Sequence, residues 1–471
     1  MHPGNLAGVT EQMDENQYSL VVVSNRLPVT FERDSAGVLT PAISPGGLVA
    51  AVAPALRGKN AAWVGWDGTF DGSENSLDVD GIALFPVALS QTLVKKHYEG
   101  FSNSTLWPLL HDIGAQVDFE ESWWSAYCEV NQRCAEAVAR VAAHHATVWI
   151  HDYQMMLVPS MVRSLRPDVT MGYFHHIPFP SPPQWDLLPH ASEVVAGLYG
   201  ADVCGFQRHS DTENFLAAAQ AAPPASGLKI PKAKTYPISL DFADVSKAAS
   251  SEVVKHKAKE FRKQWGSPTT VLLGVDRIDY TKGIPERLEA FESLLASGQL
   301  STEDVVFVQA GSPSRENVAS YQALQTRLDS LVKRINEKFP SSQGRMPVVY
   351  WAKNLAREDM LALFVAADVM VVSPLRDGMN LVAKEFIACR GDNSGVLILS
   401  TGAGAADHLT QAVLCEPGNP EALHDAILTA LAMDGEEAHT RMAAMRDYLA
   451  VHDVVAWASD ILGDLASLPS K

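Results

Sequence analysis

Residues 271–297 read VLLGVDRIDYTKGIPERLEAFESLLAS. Val271–Val275 is apolar without alternation, as a strand is when both of its faces are buried. Arg277 to Gly283 is a polar loop. Pro285 then stands where the first turn of a helix tolerates it, and Leu288, Phe291 and Leu295 share one face up to Ser297. Buried strand, polar loop and amphipathic helix in succession are the repeating unit of an α/β fold with a parallel sheet.

The same pattern runs outward in both directions. Leu20–Ser24, Ala62–Trp66, Thr147–Ile150, Met171–His175 and Asp202–Phe206 read as strands of the first half. Val305–Ala310, Val348–Trp351, Val369–Ser373 and Val396–Ser400 read as strands of the second. Helices are predicted between them, among them Leu48–Leu56 and Glu121–His145. One parallel sheet per half follows. The junction is placed in Asp241–Ser267, which is charged and has little to bury before Phe261. Ala221–Lys232 is a rival boundary, but Lys234–Leu240 after it still reads as a strand of the first half.

Composition narrows the class. At ~100–200 residues per domain, 471 residues allow two or three domains. A hydrophobic fraction of 47% and a charged fraction of 20% exclude disordered, collagen-like and disulfide-scaffold chains. Lys plus Arg is 37 against 55 for Asp plus Glu, and a net charge of −18 argues against general binding to nucleic acid or an anionic membrane. The five cysteines (128, 134, 204, 389 and 415) form no Cys-x-x-Cys pair, which fits a reducing compartment and no zinc site. Met1 to Gln17 lacks the basic and apolar segments of a signal peptide. No apolar run approaches the ~20 residues that span a bilayer. A cytoplasmic protein is expected.

The polar clusters follow the predicted strands directly: His151-Asp152-Tyr153, His176 to Pro180, Arg277 to Gly283, Ser312 to Arg315 and Arg376 to Asn380. Open parallel sheets bind ligands beyond the carboxyl ends of their strands. Clusters at equivalent edges in two halves predict one cleft between two domains. Arg277 and Lys282 on one loop suit an oxyanion, the first as a planar fork and the second as a point charge. A helix starting near Asn380 offers free amides, and Gly378 and Gly46-Gly47 permit close backbone approach. A phosphorylated ligand is therefore predicted, with Glu385 placed for sugar or ribose hydroxyls.

Plainer readings exist for each residue alone. Arg277 or Lys282 could be paired with a carboxylate. Asp152 could be a helix N-cap. His151, His175 and His176 could ligate a metal, but no spaced partner is evident. Trp63, Trp66, Trp107, Trp123 and Trp124 could be core. Thr401-Gly-Ala-Gly404 is half a dinucleotide fingerprint, with Asp407 where the third Gly would stand.

The residues resemble the trehalose-6-phosphate synthases from about Leu20 to about Trp457. The matching segments are VVVSNRLPV, PGGLV, WVGWDG, the Tyr98–Asn103 segment with LWP, HDYQ, HIPFPSP, GVDRIDYTKGIPER, SPSRE and SPLRDGMNLVAKE. The resemblance implies the GT-B fold, two Rossmann-like domains facing a central cleft. Residues 18–243 would form the acceptor domain and 244–450 the nucleotide-sugar domain. Residues 451–471 would carry a helix that packs back on the first. The implied reaction moves glucose, with retention, from a nucleotide-glucose to glucose 6-phosphate. Its product would be α,α-trehalose 6-phosphate. No metal or other cofactor is implied.

Carried over by position, Arg277 and Lys282 would neutralise the departing diphosphate. Asp377, with Gly378, Met379, Asn380 and Leu381, would hold the donor glucose and phosphate, and Glu385 the ribose. Gly47 would approach the donor phosphates, and His176 the donor sugar. Asp152 would orient the acceptor sugar. Arg26 and Arg315 would grip its phosphate beside Tyr98 and Trp107, with Trp66 lining that side. The resemblance places Asp152, His176, Arg277, Lys282 and Asp377 in the catalytic set. The chain departs from the family's usual pattern at Thr401-Gly402 and at Pro183-Gln184-Trp185. The donor base (uracil, guanine or adenine) is open, as is a dimeric or tetrameric assembly. A glucosylglycerol-phosphate synthase and a non-catalytic sugar-phosphate sensor are the alternatives.

Overall fold

The structure, a computed structural model, describes residues 17–33, 39–43, 47–56, 58–70, 76–224, 228–315 and 318–469. Gly46 and residues 1–16 of the predicted polar tail lie outside them. The chain divides into two compact units, Met1–Pro237 with Trp457–Lys471, and Ile238–Ala456.

The first unit contains β1 (Tyr18–Arg26), β2 (Val29–Arg33), β3 (Leu39–Ile43), β4 (Ala61–Trp66), β5 (Leu77–Val79), β6 (Ile82–Pro86), β7 (Ala142–His151), β8 (Thr170–Phe174), β9 (Val203–Phe206) and β10 (Lys232–Thr235). Its main sheet has the order β10-β9-β8-β7-β1-β4-β6-β5. All neighbours are parallel except β5 on β6. β2 and β3 form a separate antiparallel hairpin. The sheet turns back on itself at β1, which has β4 on one side and β7 on the other. That arrangement makes a topological switch point between β1 and β7.

The second unit contains β11 (Thr270–Arg277), β12 (Val305–Ser312), β13 (Val348–Ala352), β14 (Val369–Val372), β15 (Val396–Ser400) and β16 (Val413–Cys415), in the order β13-β12-β11-β14-β15-β16. All pairs are parallel. This is the 3-2-1-4-5-6 order of a Rossmann sheet, with its switch point between β11 and β14. Val271, Leu272 and Leu273 are 0% exposed, as are Val21, Val22 and Val23 of β1. Such runs do not alternate because helices cover both faces. Leu288, Phe291 and Leu294 of the helix Ile284–Ala296 join Leu272 and Phe307 in the second core. In the first, Trp63 and Trp149 are fully buried. Each contributes roughly 4–6 kcal/mol of apolar burial before entropy is counted.

Several elements differ from the sequence reading. The helix from Glu121 ends at Val141, and Ala142 to His145 already belong to β7. Arg166 donates to the Ala139, Ala142 and Ala143 carbonyls, and Asp168 accepts from the His145 amide. These distant groups satisfy the helix end and the strand start, which local pattern cannot report. The strand predicted over Lys234–Leu240 is only Lys232–Thr235. The division between units falls at Pro237/Ile238 rather than after residue 243. Asp241–Ser267 is no linker. It forms the helices Phe242–Ala249 and Glu252–Gln264, tied into the second unit by Arg262 on Asp368 (2.9 Å) and Lys257 on Asp359 (2.8 Å). Two of its cations are thus partnered across the fold, and Ala249, Val254, Ala258 and Trp265 are its buried apolar side chains. β5, β6, β16 and the β2–β3 hairpin were not predicted; β5 and β16 have three residues each, too few to show a pattern.

From Trp457 onward the helix Val454–Ala466 belongs to the first unit. There Trp457 packs on Trp149 and Phe174, each at 5.1 Å between centroids. Asp464 accepts from Lys234 and from Tyr236. No helix among the described residues is long and apolar enough to cross a membrane.

Candidate active site

The second unit gathers its predicted residues at the switch point. Arg277 ends β11, and the turn Tyr280–Lys282 follows. Leu375, beyond β14, donates its amide to Thr281 at 2.8 Å, which joins the two loops that flank the crevice. Lys282 Nζ donates to Asp377 Oδ2 at 2.5 Å, and Asn380 Nδ2 donates to the same oxygen at 3.1 Å. Asn380 also caps the helix Leu381–Cys389, its side chain accepting from the Ala383 amide. Gly378 lies between Asp377 and the buried Met379, whose carbonyl accepts from Ala405 at 2.9 Å.

Asp279 is the hub that the sequence reading missed. It is 0% exposed; one oxygen accepts from the Thr281 amide and the other from Arg315 Nη1, each at 3.0 Å. Tyr321 OH donates to that second oxygen as well, at 3.2 Å. Arg277 lies 3.8 Å from it and stays about half exposed. Burial alone would raise the Asp279 carboxyl, but the charges of Arg315, Arg277 and Lys282 outweigh it and hold it at about 2. Three cations thus surround two carboxylates, leaving a positive balance beside the start of the helix Leu381–Cys389. Arg315 is buried against Asp279 and Tyr321 rather than standing open.

Glu385 is partly buried one turn into the helix. Burial pushes its carboxyl up to about 7, against a lowering by the Arg357 charge. The folded chain then binds this proton more tightly than the unfolded chain. Stability from this group is present below the unfolded value and is lost as pH rises through about 7. Glu385→Gln is therefore expected to gain stability relative to the parent between pH 5 and 8, as read by urea unfolding at each pH.

Gly283 has φ +63°, and a Cβ there would stand 2.1 Å from the Ser373 carbonyl oxygen. Gly283→Ala should lower stability by about 1–3 kcal/mol and weaken anion binding through the displaced Lys282. Thermal unfolding and nucleotide titration check both effects. Gly402 is equally committed: a Cβ would lie 2.5 Å from the Leu375 carbonyl oxygen, while the Gly402 carbonyl accepts from the Asp377 amide at 2.9 Å. The Thr401–Gly404 stretch supports the Asp377 loop and then enters the short turn Gly404–Asp407.

The first unit gathers the other set, again at strand ends. Arg26 pairs in register with Trp66 on β4, and its guanidinium lies 5.2 Å over the Trp66 ring. Gly68, φ +91°, leaves room for that guanidinium: a Cβ would fall 1.9 Å from Nη2. Asp152 follows β7 with φ 74° and ψ 168°, a region nearly reserved for glycine. It does not cap the turn after it. Its Oδ1 accepts instead from the His176 amide at 3.2 Å, beyond β8. Asp152, Arg315 and Asn380 are three of the nine non-glycine residues with positive φ among those described. Strain of that kind collects where a side chain must be aimed.

Tyr98 and Trp107 are nine positions apart. At 3.6 residues per turn they would face opposite ways. The segment Lys95–Leu106 is wound as a π-helix, at about 4.4 residues per turn, so they lie about two whole turns apart on one side. Trp107 packs on Tyr153 at 5.7 Å, and Tyr153 OH donates to Asn103, which donates to the Tyr98 carbonyl. Gly47 opens the helix Gly47–Leu56. Pro183-Gln184-Trp185 belongs to a short helix whose Trp185 is buried on Phe179 at 4.7 Å.

His175 uses both nitrogens, with Tyr173 OH at 2.9 Å and the Pro178 carbonyl at 3.3 Å. His151 and His176 meet each other at 3.0 Å. These histidines do not converge on a common metal position. Among the described residues, His144, His145 and Asp168 have ligand atoms within 4.8 Å of one another. They stand at or near the amino end of β7, away from the site, and Asp168 is already bridged by Arg166 through two bonds of 2.8 Å.

Known proteins give the same arrangement a family. Residues 18–467 match the model of glycosyltransferase family 20. The chain is 44% identical to a trehalose-6-phosphate synthase of Mycobacterium sp. (strain JLS), covering 98% of this chain and 99% of that one. It is similar to an α,α-trehalose-phosphate synthase (UDP-forming) from Burkholderia xenovorans in complex with glucose-6-phosphate: TM-score 0.86, 29% identity, 95% of this chain and 100% of that one. A structure from E. coli bound with UDP-2-fluoro glucose has TM-score 0.87 and 30% identity, covering 96% and 100%. Both units are thus those of a GT-B glycosyltransferase, and the chain belongs to glycosyltransferase family 20.

Proposed function

We propose that the chain transfers glucose from UDP-glucose to glucose 6-phosphate with retention, forming α,α-trehalose 6-phosphate and UDP. The observation that carries this reading is the cation set at the second switch point: Arg277, Lys282 and Arg315 against Asp279 and Asp377. As the donor's anomeric C–O bond breaks, negative charge grows on the β-phosphate. Cations and helix-start amides accelerate transfer insofar as they stabilise that charge more than the ground state. Arg277 and Lys282 supply the cations, and the backbone from Gly378 to Leu381 supplies the amides. Asp377 holds Lys282 in place and reaches the donor glucose. Glu385 takes the ribose hydroxyls.

On the acceptor side, Asp152 orients the sugar hydroxyl, and Arg26, with Trp66, Tyr98 and Trp107, holds its phosphate. The departing phosphate takes the acceptor's proton on the face that the nucleotide leaves. The relative's complex with glucose-6-phosphate and the structure with a UDP-glucose analogue support these two substrates. Five free cysteines fit a reducing cytoplasm.

The test is nucleotide release from UDP-, GDP- and ADP-glucose, each with glucose 6-phosphate or glycerol 3-phosphate and no added metal. Release from UDP-glucose that requires glucose 6-phosphate and yields a non-reducing disaccharide phosphate is expected. Turnover with glycerol 3-phosphate alone, or none with any pair, overturns the proposal.

A further inference from the structure

His151 ends β7 and His176 follows β8; the register sets His151 beside Phe174. His151 Nδ1 and His176 Nε2 are 3.0 Å apart. Both rings are neutral: burial pushes His176 down to about 3, the His175 charge adding to it, and burial with the His176 charge lowers His151 in the same way. One proton therefore lies between the two nitrogens, and it can belong to either ring.

The rest of the pair decides which. His151 is 0% exposed, and its Nε2 is buried with no hydrogen-bond partner. If His176 were the donor, the His151 proton would have to sit on that Nε2. The rings beside His151 are Trp149 at 4.5 Å and Phe174 at 6.4 Å between centroids. An indole is only a donor, and a phenyl ring has no acceptor atom. A buried N–H without an acceptor is rarer in folded proteins than an unused acceptor lone pair. The proton between the rings thus belongs to His151 Nδ1. His176 then carries its own proton on Nδ1, the ring nitrogen that does not face His151.

We propose that His151 is a positioning residue that fixes His176 as the Nδ1–H tautomer, so that His176 presents an N–H donor to an oxygen of the transferred sugar. The sugar-facing part of this inference rests on the function proposed above. Asp152 holds the other end of the same residue, accepting from the His176 amide. Backbone and ring of His176 are thereby set by consecutive residues, His151 and Asp152.

The full chain labelled with ¹⁵N-histidine tests the tautomer by long-range ¹H–¹⁵N spectra, with His176→Gln assigning the signal. Protonation of both His151 and His176 at Nδ1 is expected; protonation of His176 at Nε2 overturns the proposal. Kinetics give a second readout. His151→Asn keeps an N–H near the Nδ1 position and should hold kcat within about threefold, the loss of a fraction of one hydrogen bond. His151→Gln moves the amide toward the Nε2 position and should lower kcat about tenfold, with KM for glucose 6-phosphate unmoved. Equal kcat in the two variants, or a change confined to KM, overturns it. Should the parent chain not transfer glucose, the proposed function fails, and the spectra still decide the tautomer.

Discussion

Lys282→Ala is expected to lower kcat by about 10²–10³-fold, the cost of removing one preorganised group from a developing oxyanion. KM for glucose 6-phosphate should move little. Lys282 Nζ is already held at 2.5 Å from Asp377, and its side chain is only 11% exposed. It therefore pays little further ordering entropy when the phosphate charge develops. Asp377 keeps the Asn380 amide at 3.1 Å after the substitution, so the loop retains one of its ties. Steady-state kinetics with both substrates varied, together with calorimetry of nucleotide binding, separates the two effects. An unchanged kcat removes Lys282 from the leaving-group role.

Arg287→Leu is expected to cost about 3–5 kcal/mol of stability, because it strands a buried carboxylate. Arg287 and Asp276 lie 2.8 Å apart with side chains 0% and 2% exposed. Arg287 also donates to the Lys282 carbonyl at 2.6 Å, the Val371 carbonyl at 3.0 Å and Ser373 Oγ at 3.1 Å. One guanidinium therefore braces the loops after β11 and β14 from below. Burial raises the Asp276 carboxyl even though the Arg287 and Lys282 charges lower it. Urea unfolding should show the loss. The double variant Arg287→Leu with Asp276→Leu should recover a large part of it, since no unpaired charge remains. Equal stability of the single and double variants would show that the hydrogen bonds, not the stranded carboxylate, set the cost.

The strands and the position of the site were legible for one physical reason. A strand buried on both faces must be apolar throughout, so LVVVS, TVWI, VLLGV and VMVVS stand out. The polar residues that follow them must then sit at the carboxyl edge. Arg277, Lys282, Asp377, Asp152 and His176 were named as candidates this way and by family resemblance together, and Arg26 by the resemblance alone. The placement of the junction in the charged segment was less legible, because two of its cations, Lys257 and Arg262, find their partners in Asp359 and Asp368, about a hundred positions away.

By itself, then, the sequence determined the α/β class, two parallel sheets, the family and the residue types at each strand end, since burial and turn chemistry are written locally. Only the tertiary structure decided who meets whom. Strand order put the loops after β11 and β14 side by side at a switch point. Arg315 turned onto Asp279, Arg287 took up a place beneath Lys282, and His151 came against His176. π-winding brought Tyr98 and Trp107 to one side. Each of these depends on pairing between positions far apart in the chain, and an apolar or charged residue states how strongly it needs a partner without stating which partner it will find.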